Sequence, residues 1–403
     1  MRNLYKETPK PLWRNTKADA KKKEEKIALI GEALFFIGFL AFCMKFTMDF
    51  SSIVSRNEMI NSMLVGLSIM CSMAKIMTQR YTPVRFALIM SVCAIMGYSS
   101  LISINYLFLL SFLLIMAMQD INFIKIIKFG LYAKIINMGI HVLWYTYVYN
   151  TNPSAIRFVF RGGASGVPRH SFFMGHANLF SGFLLWACLD FVFLNYDKLK
   201  ARHIAAIWLI NIIFYSFTFT NSGVMVLVIV TALISLDKFA KKISGGLLTF
   251  MSKYFYLFFA IFFPLLTVVY LQLSGTLLAL WHILDRFFTG RLWLGAYVYY
   301  VHGATFLGVP DKAPVNFFWD GRWGDTFTTF DNYYIGNFVS YGYINLILTA
   351  AVFLALCGKM ENREKIMIIA FSFYGIMEAY VTNLVICSAL FIIGKYIYQK
   401  HKR

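Results

Sequence analysis

Charge is scarce in this chain: Asp, Glu, Lys and Arg make up 14% of its 403 residues, where an ordinary soluble domain carries about 25%. Acid is scarcer still, with 19 Asp and Glu against 38 Lys and Arg and a net charge of +19. Cysteines are few. Cys43, Cys71, Cys93, Cys188, Cys357 and Cys387 lie in or beside apolar runs with no CxxC spacing, so they read as small buried residues and not as disulfides or metal ligands. Also missing are GxxxxGK[ST], HExxH, a Cys/His ligand set and a GxGxxG placed on a strand. Nucleotide hydrolysis and zinc chemistry therefore lack support. No internal repeat is visible, which weighs against a transporter built from two inverted halves.

What fills the chain instead is apolar: 59% of its residues are hydrophobic and 18% aromatic. A membrane-spanning helix needs roughly 17–25 such residues. The runs predict an all-α polytopic membrane protein of about twelve spans, at 27–46, 59–77, 86–102, 104–118, 128–149, 174–194, 204–219, 223–237, 254–273, 333–357, 365–380 and 383–399. Residues 1–26 form a basic arm, and 27–403 a single transmembrane domain with long loops at about 150–173 and 274–332. The arm is too long and polar for the start of a cleavable signal peptide, and the run behind it has the length of an anchor.

Lys and Arg set orientation. The arm holds Arg2, Lys6, Lys10, Arg14, Lys17, Lys21, Lys22, Lys23 and Lys26, and with it inside, the even connections are inside too. These carry most of the remaining basic residues, among them Lys75, Arg80, Arg85, Lys125, Lys128, Lys134, Lys238 and Lys253. The positive charge is thus a topology signal with both termini cytoplasmic, and no nucleic-acid partner is needed to explain it. Left outside are Lys45, Arg56, Arg157, Arg161, Arg169, Arg286, Arg291, Lys312 and Arg322. Most of these are Arg, whose planar fork suits phosphate better than Lys does. No DxD-like acid pair accompanies them, which disfavours a metal-dependent sugar-nucleotide transferase. The longer loop carries Trp281, Trp293, Phe317, Phe318, Trp319 and Trp323, too aromatic for disorder. Its stretch 281–301 has the make-up of a helix lying at the membrane surface.

Four constellations can carry chemistry. In RHSFFMGHANLFSG, Arg169 precedes His176 and Asn178 at the start of the sixth span; an Arg beside a helix N-terminus makes an anion site, and Gly175 and Gly182 allow close backbone approach. The bland alternative is that His176 and Asn178 only fix packing. In LDRFFTGRLWLGAY, Arg286 and Arg291 flank a Thr289–Gly290 break across which both can reach one group; the alternative is two Arg snorkelling to headgroups. In TFDNYYIGNFVSYGYI, Asp331 enters the tenth span as a carboxylate base, or else Asp331, Asn332 or Thr329 merely caps it; Asn332 and Tyr333 are candidate acceptor-binding residues. Glu378 and Asn383 lie near the ends of the last two spans. An acid at membrane depth needs a partner, and an outer Arg is the expected one. Glu32 in the first span pairs with Lys26 or a neighbour, and His141 reads as a packing residue.

These motifs, in this order around a long outer loop, resemble the bacterial polysaccharide polymerases that extend lipid-linked O-antigen or capsule repeat units, relatives of the O-antigen ligases. The resemblance covers about 157–390. It implies a multi-helix glycosyltransferase of the lipid-phosphosugar class, GT-C-like, in the bacterial cytoplasmic membrane. The substrate would be a polyprenyl-pyrophosphate-linked oligosaccharide, with membrane lipid around it and a flippase and a chain-length regulator as partners. The implied reaction is inverting and independent of metal or other cofactor. Arg169 and Arg286, with Arg291, would grip the pyrophosphate, and Asp331, His176 and Glu378 are the catalytic candidates. Where the ligase branch has a His before the Asn of the third motif, this chain has Asp331, which favours the polymerase. Where many relatives carry Ser-Arg, it reads Thr220–Asn221–Ser222–Gly223. A sibling ligase and a lipid-linked oligosaccharide flippase are the alternative expectations.

Overall fold

The computed structural model describes residues 12–103, 106–156, 158–161, 166–288, 290–309 and 331–398. Helices α1 (Leu12–Phe50), α2 (Glu58–Met77), α3 (Pro83–Ile102), α4 (Leu107–Ala117) and α5 (Phe123–Thr151) come first. A hairpin follows, β1 (Phe158–Arg161) against β2 (Val167–His170), antiparallel with Phe158 opposite His170. Then come α6 (Ala177–Leu194), α7 (Ala201–Thr218), α8 (Asn221–Phe239), α9 (Lys241–Val269), α10 (Gly275–Phe287) and α11 (Arg291–His302). The chain closes with α12 (Tyr333–Gly336), α13 (Ile344–Leu356), α14 (Asn362–Met377) and α15 (Phe391–Tyr398). Gly162, Gly163, Arg157, Thr289, Lys312, Phe317, Phe318, Trp319, Arg322, Trp323 and Thr329 lie outside the described residues.

Among the described residues eight helices are long and apolar enough to cross a membrane: the spans in α1 to α3 and α5 to α9. The protein is an all-α, multi-pass membrane protein. Polar punctuation sets where helices begin. Asn57 accepts the Met59 and Ile60 amides to start α2, Thr82 accepts from Arg85 ahead of a proline at the first turn of α3, and Asn122 accepts from Ile124 at α5. Such caps satisfy amides that a helix start leaves open.

The long helices are amphipathic toward lipid, not water. Leu88, Met63, Ile136 and Leu209 point large apolar side chains outward, a belt that only hydrocarbon would tolerate at this density. Inside it α6 and α14 are buried almost all round. Gly182 of α6 makes that possible: a Cβ there would collide with the Tyr374 hydroxyl of α14. Four phenylalanines of α1, Phe35, Phe39, Phe42 and Phe46, fill the adjoining core.

α1 runs unbroken from Leu12 to Phe50, so the described part of the basic arm continues as helix into the first span. The tenth predicted span is not one helix. It holds α12, a turn of π-helix at Asn337–Tyr341, and α13. Gly342 makes the break with φ 96°, and a Cβ there would meet the Phe306 carbonyl at 2.6 Å. The segment before it docks onto the break, Val309 donating to Ser340 and Tyr343 to Thr305. The last predicted span is helical only as α15 and a short turn before it. The predicted surface helix at 281–301 is two helices, and α11 is no surface lodger: Leu292, Ala296 and Val298 are buried. Asp285 at the end of α10 accepts the Leu292 and Trp293 amides and so caps α11 across the break.

Lys134 is also misplaced by a charge count that put it in a loop. It is fully buried in α5, 2.7 Å from the equally buried Asp190 of α6. Ser388, just before α15, donates to the other Asp190 oxygen. Glu32 pairs with Lys125, not Lys26. His141 packs as expected, bonded to the Asn137 carbonyl and Ser51.

Candidate functional site

The hairpin aims the first motif. After β2 the chain turns sharply: Phe172 and Phe173 both take positive φ, 52° and 61°, a conformation that costs bulky residues about 1–3 kcal/mol each. Burial of Phe172 against Phe180, Phe214 and Phe217 holds it there. The turn folds His176 back to the level of Arg169, so one short segment supplies both.

Arg169 is 8% exposed and bolts three elements together. Its Nε donates to the Thr218 carbonyl at 2.7 Å, and one Nη donates to Thr220 Oγ1 at 2.6 Å and to Asn178 Oδ1. Phe219 makes this possible, since its left-handed φ of 46° ends α7 and turns both Thr218 and Thr220 toward the guanidinium. Thr220 is at the same time the residue that opens α8.

His176 caps α6. Its Nδ1 accepts the Asn178 amide at 3.2 Å. Burial and the Arg169 charge lower its pKa, with Asp331 opposing and Arg291 adding to the effect. The ring is therefore held neutral, and because Nδ1 is an acceptor, the proton sits on Nε2. His176 thus presents a hydrogen-bond donor to the site.

Arg291 opens α11 and meets Asp331 at 3.2 Å, with the carboxylate about half exposed. Glu378 follows the last turn of α14 in extended backbone and is fully buried. Ser222, in the first turn of α8, donates to its Oε1 at 3.0 Å. Its Oε2 has no hydrogen-bond partner among the described residues, nor has Asn383 Nδ2. Burial raises the Glu378 pKa to about 8, helped by the Asp331 charge and opposed by Arg291, Ser222 and Arg169. The expected ion pair with an outer Arg is absent among the described residues: a serine hydroxyl contacts the acid, and the Arg charges act at longer range.

So Arg169, His176, Asn178, Arg291, Asp331 and Glu378, spread over more than 200 positions, share one electrostatic neighbourhood. The N-termini of α6 and α8 open into it, adding positive partial charge. The arrangement places positive charge beside a carboxylate that is about half exposed.

Arg286 is not brought in. It stays exposed on α10. Asn332 and Tyr333 are buried structural residues, not open binding groups. The Asn332 side-chain Oδ1 accepts the Ile335 amide and so caps α12, and its Nδ2 donates to the Ile376 carbonyl, while the Tyr333 hydroxyl bonds Tyr256 inside the bundle. The capping alternative holds for Asn332. Thr220 and Ser222 were given no role from the sequence. They stand where the sequence departs from the Ser-Arg of the resembling family, and their signal was a polar step between two apolar runs.

No known protein family, curated protein or solved structure matches this chain.

Proposed function

We propose that this protein is a polysaccharide polymerase with GT-C-like architecture. It would transfer a growing glycan from polyprenyl pyrophosphate to the hydroxyl of a lipid-linked repeat unit, on the outer face of a bacterial cytoplasmic membrane. The convergence of Arg169, Arg291 and two helix N-termini around Asp331 and Glu378 carries this reading. The charge pattern, which puts the hairpin side outside, and the motif order agree with it. Twelve crossings would be completed by the shorter helices α4, α13, α14 and α15.

The chemistry is a displacement at the anomeric carbon. The acceptor oxygen forms the new C–O bond, the bond to the pyrophosphate breaks, and the pyrophosphate leaves with the electron pair. Asp331, the accessible carboxylate, takes the acceptor proton. Arg291 and Arg169 stabilise the charge that grows on the leaving group. His176 donates from Nε2 to the same oxygens. Glu378, neutral at pH 7, adds no negative charge beside the diphosphate and has a free oxygen with which to donate to it. Attack opposite the leaving group inverts the anomeric centre.

Purified protein incubated with a synthetic polyprenyl-pyrophosphate repeat unit is expected to give a ladder of longer products on a gel. Translocation of that lipid without any ladder would favour the flippase reading. A single transfer to a different acceptor would favour the ligase.

The raised pKa of Glu378 gives a second test. The neutral acid persists up to about pH 8, so extension is expected to fall as pH rises through that value. Glu378→Gln, permanently neutral, is expected to keep most activity and lose that alkaline decline. An unchanged alkaline limb in the variant would remove Glu378 from the mechanism.

A further inference from the structure

A cavity of about 450 Å³ lies between α3 and α4 on one side and α13 and α15 on the other, and its lining extends to Tyr333 and Thr382, close in sequence to Asp331 and Glu378. It falls in the range of small-ligand sites, roughly 300–1,000 Å³. Ile89, Val92 and Met96 of α3 face Leu348, Val352 and Ile393 across it. The lining is nearly all apolar, and α3, whose outer side is largely exposed, forms its lipid-side wall.

The two ends differ. One is closed by polar groups: Ser111 donates to the Thr382 carbonyl, and the buried amide oxygen of Asn345 has no partner among the described residues. At the other end stands Arg85, the one charged residue lining the cavity among the described residues. One Nη of Arg85 donates to the Ile397 carbonyl at 2.7 Å, and its guanidinium lies 4.6 Å from the Tyr398 ring centre. This is the face where Arg80 reaches Glu24 of α1, opposite to the hairpin. These two contacts hold the guanidinium, and the residue is partly exposed.

Length decides the occupant. From Arg85 to Met96, α3 rises about 16 Å, close to half of the roughly 30 Å hydrocarbon thickness. The cavity therefore runs one leaflet deep, then stops at polar groups. That suits an acyl chain and not a polyprenyl tail of several times its length. We propose that the cavity holds one acyl chain of a phospholipid from the leaflet on the Arg85 side, with the lipid phosphate on Arg85. This occupancy is expected whether or not the protein transfers glycans.

The full chain in nanodiscs containing phosphatidylglycerol with a diazirine on one acyl chain tests this. Photolysis is expected to label α3 and α13 at the cavity, and unlabelled phosphatidylglycerol is expected to compete. Val92→Trp, which fills the cavity from the lipid side, is expected to abolish that labelling, as is Leu348→Phe should the Trp variant not remain monodisperse. Arg85→Gln is expected to lower it about fivefold, the effect of one surface basic residue on anionic lipid. Labelling spread evenly onto lipid-facing α7 would overturn the proposal. So would cavity labelling unchanged by both filling variants, or competition by polyprenyl pyrophosphate in place of phospholipid.

Discussion

Arg291→Ala is expected to cut chain extension by about 10²–10³-fold, the usual effect of removing one donor that stabilises a developing anion. The protein should still fold. Arg291 sits at the rim, bonded to the Asp331 carboxylate and the Phe288 carbonyl, and α11 keeps its Asp285 cap. Arg291→Lys keeps the charge but loses the fork, so it is expected to recover only part of the rate. Arg169→Ala should be as damaging for a further reason, because it also unties Thr218, Thr220 and Asn178. Arg286→Ala is the informative control. Family resemblance gives Arg286 the pyrophosphate, while its exposed position on α10 predicts less than a threefold change. Kinetics of ladder formation for the three alanine variants, alongside gel filtration of each, decide the matter. Normal extension by Arg291→Ala together with loss in Arg286→Ala would reverse the assignment of the two side chains.

The bundle was legible in the sequence because hydrocarbon imposes one rule: every backbone group must be bonded within its own helix, so length and apolarity predict the elements. Eight spans follow from it. The rule fails where helices are sheltered by other helices. Inside the bundle a backbone break costs little if neighbours supply partners, and so Gly342 can stop a predicted span and dock the 305–309 segment on it. The same shelter hides ionic groups. Lys134 looked like a loop cation because nothing local reveals that Asp190, 56 residues on, stands opposite. The site was half legible. Arg169, His176 and Asp331 announced themselves as polar residues beside helix starts. Which Arg joins them could not be read from the Arg286–Arg291 spacing, because the kink at Gly290, with φ 81°, turns one Arg toward Asp331 and leaves the other exposed. The part Ser222 plays was hidden for the opposite reason: a serine in an apolar helix is ordinary until the chain returns 156 residues later with Glu378.

Lys134→Met is expected to be the most destabilising single change outside the site. Lys134 and Asp190 are both fully buried, at 2.7 Å, and taking one charge from such a pair leaves the other uncompensated, at about 3–5 kcal/mol. Asp190 can escape part of this only by taking up a proton, which changes how it accepts from Ser388. The damage should spread, since the pair ties α5 to α6 and, through Ser388, to the turn before α15. Those are the elements that back the hairpin and His176. Asp190→Leu alone should be comparably harmful, because it strands the ammonium. The double variant Lys134→Met with Asp190→Leu leaves no charge behind, and well-packed apolar replacements of buried pairs are often neutral. It is therefore expected to recover most of the stability that either single variant loses. Thermal unfolding of the four proteins in one detergent measures this as a double-mutant cycle. Strict additivity of the two single losses would mean that the ammonium and carboxylate do not depend on each other, and that the pair does not hold α5 against α6.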